Sequence, residues 1–112
     1  MNDLASPEQL LSRIVAIFPE FESYWEVDYP GEASRQQTAH AVYMSLFPFV
    51  HSMTPSARQL SRFSALFNDA VAAGGVSENA VGTCFLEHFG TSPLRAALGT
   101  MLLPAAKKRL RA

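Results

Sequence analysis

Cys84 and His88 stand four residues apart, a spacing that places a thiol and an imidazole on one face of a helix. Such a pair could offer two metal ligands, or a thiol activated by the imidazole. A closed metal site needs more ligands, and the sequence contains no CxxC, HxxH or HExxH. His40 and His51 lie on another helix, eleven residues apart. The packing reading therefore leads, with Cys84 a small buried apolar residue and His88 a partly buried neighbour holding a hydrogen bond. Glu87 lies in the apolar run Phe85-Leu86-Glu87-His88-Phe89, a setting that could raise its pKa and suit it to acid–base work. One carboxylate without a second placed group makes a poor active site, so Glu87 is expected on a polar strip or paired with Arg58, Arg62 or Arg95. Gly74-Gly75 lacks the spacing of a phosphate loop. No catalytic residue, metal ligand or cofactor is assigned, and a non-enzymatic protein is expected.

Residues 20–32 are more informative. Glu20, Glu22, Glu26, Asp28 and Glu32 occur there without a base, interleaved with Tyr24, Trp25 and Tyr29. Acids set up a field that draws in a basic partner, and Trp and Tyr supply large contact area. These eight residues are the candidate partner-binding surface. The competing reading puts Phe21 and Trp25 in the core and leaves the acids as a solvated helix face. The basic tail Lys107-Lys108-Arg109-Leu110-Arg111 is short and free of aromatics. It follows a helix, where positive charge is favourable anyway, so neither nucleic acid nor a membrane is expected as partner.

A chain of 112 residues is one domain with room for a real core. Hydrophobic content of 48% with 17% charged residues excludes disorder over most of it. A lone cysteine allows no intrachain disulfide, which favours a cytoplasmic setting. The first residues lack a basic n-region, and no run reaches the roughly 20 apolar residues of a spanning helix. The net charge of −1 conceals an asymmetry, because residues 1–32 carry seven acids and one base while the remainder carries three acids and eight bases.

The elements that must hold these residues read as helices. Ser6-Pro7-Glu8-Gln9 opens the first with a cap, a proline and a capping-box glutamine. Glu20 to Tyr29 forms a second, ended by Pro30-Gly31. Glu32 to Met53 reads as one long helix, with a kink or break near Met44–Ser45 caused by Pro48. Thr54-Pro55 starts the next, which stops at Gly74-Gly75. Residues 76–90, capped by Ser77, are apolar on most sides and form the expected central helix. Gly82 within it costs about 1 kcal/mol relative to alanine, which close approach of another helix would explain. Ser92-Pro93 opens a further helix, Pro104 a last turn, and the tail 105–112 is expected to fray. The fold class is all-α, a compact bundle of five or six mostly antiparallel helices in one domain, residues 1–112, with short solenoid-like stacking as a variant.

Phe63-Ser64-Ala65-Leu66-Phe67, Gly74-Gly75, Val76-Ser77-Glu78-Asn79-Ala80-Val81, Phe85-Leu86-Glu87 and Leu98-Gly99 together give residues 60–104 a further meaning. This stretch resembles a family of small bacterial helical domains of uncharacterised function, some of which act as immunity proteins beside toxins. The resemblance implies an all-helical fold and no catalytic residue, and it carries over no partner-contacting positions. The expected function is an immunity protein that binds a basic toxin and occludes its active site. The alternative is a regulatory or adaptor domain that dimerises or docks on another cellular protein.

Overall fold

Prolines, glycines and capping hydroxyls set the element boundaries in the computed structural model, which describes residues 3–88 and 92–110, without the side chains of 34–36. Helix α1 (Pro7–Ile17) starts at its proline. Its expected capping box does not form: Ser6 makes no side-chain cap bond, and Gln9 Oε1 accepts the Asp3 N–H instead, at 2.6 Å. Pro19 separates α1 from α2 (Phe21–Asp28). Gly31, at φ +61°, then turns the chain into a 3-10 segment over Gly31–Gln36.

The long helix expected over 32–53 is shorter. Thr38 is extended, at φ −106° and ψ 168°, and its hydroxyl accepts the Ala41 N–H at 3.3 Å, so α3 (Ala39–His51) begins only there. The threonine oxygen satisfies a first-turn N–H that has no partner within the helix, which marks Thr38 as the cap. No break occurs near Met44–Ser45, and α3 runs on through Pro48 to His51. Pro48 is exposed, so the backbone group it leaves unpaired is not sealed in the core.

Helix α4 (Ala57–Ala73) starts two residues later than Thr54-Pro55 suggested, from a capping box of Ser56 and Gln59. Gln59 Nε2 also donates to the Ile17 carbonyl at 3.2 Å, fixing the start of α4 to the end of α1. Gly74 and Gly75 take φ values of +69° and +54°, which only glycine adopts without strain, and the chain reverses at once into α5 (Gly75–Cys84). Ser77 is therefore not the cap and lies buried inside α5. This helix also ends earlier than the sequence suggested. Phe85 leaves helical geometry, and Leu86–His88 form a 3-10 turn, with residues 89 and 90 outside the described part. The turn seats Phe85 in the core against Phe47, Phe63 and Phe67, at centroid distances of 5.2, 5.6 and 4.9 Å.

Ser92 caps α6 (Pro93–Gly99) by accepting the Arg95 N–H, and α7 (Pro104–Lys107) follows. Asn68 holds the connection between them, its Oδ1 accepting the Leu103 N–H at 2.9 Å. The expected fraying of the tail is corrected up to residue 110. Ala106 is buried, Leu110 packs on the core and Arg109 is ion-paired, while 111 and 112 lie outside the described residues.

The result is an all-α bundle of seven helices without a strand among the described residues. Helix α5 packs on α3 and α4, α1 on both of those, α2 on α3, and α7 on α4. One buried cluster reaches from Leu4 to Ala106. Its centre is a chain of rings, with Phe18 meeting Phe63 edge-on at 5.1 Å and Phe63 meeting Phe67 at 4.4 Å. Such pairs add about 0.5–1.5 kcal/mol each beyond their buried area.

Candidate functional site

Helix α2 sorts its residues by face. Phe21 and Trp25, one helical turn apart, point inward. Phe21 meets Phe49 of α3 at 5.2 Å, Tyr24 meets the same ring at 5.3 Å, and Tyr29 lies against Trp25 at 4.5 Å. Trp25 is only 2% exposed. It belongs to the core, which corrects its assignment as a partner contact. Tyr24 and Tyr29 are half-buried against the same cluster and offer an edge at most.

Glu22 and Glu26 take the outer face of α2, Glu20 precedes the helix, Asp28 lies at its inner edge and Glu32 follows in the 3-10 segment. Glu20, Glu22, Glu26, Asp28 and Glu32 are all exposed. Asp28 accepts a hydrogen bond from the buried Ser45 hydroxyl of α3, which holds its carboxylate in place. Glu20, Glu22, Glu26 and Glu32 pair with no cation among the described residues. Glu26 and Asp28 also occupy the last turn of α2, which carries no basic residue. That end is the negative end of the helix dipole, so each acid there costs about 0.3–1 kcal/mol. Between them Val27 is 81% exposed, the most exposed large apolar side chain described. The sequence reading missed it. With 21 and 25 inward, position 27 must face water, so helical spacing could have found it.

The other candidate groups are dispersed. Cys84, a free and half-buried thiol, lines a shallow depression of about 260 Å³ with His88, Met44 and Phe47. The two expected neighbours thus meet across a helix end rather than along a helix. No cluster of three or more His, Cys, Asp or Glu able to hold a metal occurs among the described residues. His40 bonds Asn79 Oδ1 at 3.1 Å and links α3 to α5, while His51 Nδ1 bonds the Phe47 carbonyl at 2.7 Å.

Glu87 is paired with an arginine, but not one of the three expected. Arg109 Nη2 reaches it at 3.1 Å, and Arg109 Nη1 lies 3.9 Å from Glu78. The guanidinium occupies the space that a side chain at Gly82 would fill. Gly82 therefore admits a side chain from the C-terminal segment rather than the backbone of another helix.

Tyr43 is fully buried in α3 and its hydroxyl has no hydrogen-bond partner among the described residues. Burial pushes its pKa far above the ordinary phenol range, and nearby Arg13 opposes that only in part. A phenol sealed in this way is a core group rather than a reacting one. No helix among the described residues is long and apolar enough to cross a membrane. Comparisons with protein-family models, curated proteins and solved structures gave no match.

Proposed function

We propose that this chain is a non-enzymatic protein-binding domain of the immunity type, which docks on a basic bacterial toxin in the cytoplasm and covers its active site. The observation that carries the reading is the outer face of α2 and the following turn. Four carboxylates there lack a cationic partner among the described residues, and Val27, next to Glu26 on the same helix, is exposed. Two acids stand at the helix end that disfavours them, which is the pattern expected where surface charge serves binding rather than stability. Acids of this kind steer encounter and compete for groups that otherwise grip phosphate, while Val27 supplies apolar contact. The free thiol of Cys84 suits a reducing compartment.

The test is a combined charge reversal, Glu20→Lys, Glu22→Lys, Glu26→Lys and Glu32→Lys. Binding is measured by calorimetry against the toxin recovered in complex with the wild-type protein. Affinity should fall at least about tenfold at moderate salt, with loss of toxin inhibition. An unchanged Kd would remove this face from consideration, and a variant that still blocks the toxin would do the same.

A further inference from the structure

Helices α1 and α2 leave a groove of about 330 Å³ between them. Pro7, Leu11 and Val15 of α1 and Trp25 of α2 form its apolar walls, and the exposed carboxylates of Glu8 and Glu22 stand on opposite sides. Trp25 itself is almost wholly covered, and its Nε1–H is buried without an acceptor among the described residues. The volume lies at the small end of ligand sites, enough for a side chain rather than a cofactor.

We propose that this groove is a subsite for an arginine side chain, presented by an extended segment of a basic protein partner. The inference rests on the partner-binding reading above and names where on that partner's chain recognition occurs. Apolar walls suit the methylene stem of arginine, and two facing carboxylates suit its planar fork of donors. Lysine fits less well, because its compact ammonium is more strongly hydrated and cannot bridge two carboxylates in one plane. An anionic ligand is opposed by the excess of six negative charges over residues 1–32.

The chain has one tryptophan, so a single indole N–H resonance reports on the groove. The probe is an acetylated and amidated hexapeptide of alternating glycine and arginine, with its glycine–glutamate counterpart as control, titrated into the full chain and followed by NMR. The arginine peptide should move the indole resonance together with amides of α1 and α2, and the glutamate peptide should move neither. The double variant Glu8→Gln with Glu22→Gln should weaken binding about threefold to tenfold, and Glu26→Gln with Glu32→Gln less than about twofold. All four positions are exposed, so neither variant threatens the fold. Equal losses in the two variants, an unmoved indole, or no binding of the peptide would each overturn the groove. None of these touches the calorimetric test of the α2 face, which stands or falls on the toxin complex alone.

Discussion

Replacing Gly82 with alanine tests the packing of the C-terminal segment. A Cβ at this position would lie 2.2 Å from Arg109 Nη2, 2.5 Å from Nε and 2.6 Å from Cζ. Those atoms are the far end of a flexible side chain, so the guanidinium can leave without movement of backbone. The cost is then the loss of its seat between Glu87 and Glu78. The three side chains are 30%, 21% and 38% exposed for Arg109, Glu87 and Glu78, so solvent screens both pairs. Together with the packing of the arginine stem they are worth about 1–2 kcal/mol. Alanine in the helix interior returns about 1 kcal/mol over glycine. In the wild-type background Gly82→Ala should therefore be neutral or destabilise by up to about 1 kcal/mol. With Arg109→Ala already present nothing is displaced, and the same substitution should stabilise by about 1 kcal/mol. Urea unfolding of the four proteins in this cycle gives the coupling, expected near 1–2 kcal/mol. If Gly82→Ala changes stability by the same amount and sign in both backgrounds, the guanidinium does not occupy that space and the reasoning fails.

Two further outcomes follow from the core. Folding raises the Tyr43 pKa above its unfolded value near 10, so the folded chain keeps a proton that the unfolded chain loses. Stability should be fully present below that unfolded value and fall by about 1.4 kcal/mol per pH unit above it. Urea midpoints measured upward from about pH 10 should drop more steeply for wild type than for Tyr43→Phe, and parallel curves would contradict the burial. At neutral pH the same variant should change stability by no more than about 1 kcal/mol, because the hydroxyl has no partner among the described residues to lose. Trp25→Ala should cost about 3–5 kcal/mol by denaturation, and Glu22→Ala or Glu26→Ala less than about 0.5 kcal/mol. A mild effect at Trp25 would return it to the surface.

Helical content and most of the inward positions were legible, because the spacing of Leu10, Ile14, Leu66, Phe67, Ala70 and their like depends only on the helical repeat. Boundaries were less so, because they turn on hydroxyls and rings whose partners lie far along the chain. Ser56 outcompeted Thr54 because Gln59 could close a capping box and also reach Ile17. Helix α5 stops at Cys84 because the Phe85 ring is drawn among rings from α3 and α4, which no local propensity records. Of the eight candidate contact residues, the five acids were placed on the surface correctly and Trp25 was not. Aromatic type alone does not tell an anchor for a partner from an anchor for the helix itself. The pairing of Glu87 with Arg109 needs the hole at Gly82, and a basic tail expected to fray offered no reason to prefer Arg109 over the arginines of neighbouring helices.

The two readings of residues 20–32, core packing and partner contact, are not rivals once α2 is seen whole. This helix has eight residues, no side-chain cap bond, and acids at its negative end. In isolation such a helix would not form, because nucleation outweighs so few hydrogen bonds. What holds it is the inner face: Phe21 and Tyr24 on Phe49, and Trp25 sealed beneath with Tyr29 against it. Those rings make the helix insensitive to the charges on its outer side. Glu22, Glu26 and Val27 can therefore be displayed on a fixed scaffold, although of the three only Glu22, in the first turn, is favoured by the helix dipole. Under the proposed function the aromatics act from beneath and keep the outer acids in register, so loosening the inner face should weaken binding even with every carboxylate in place.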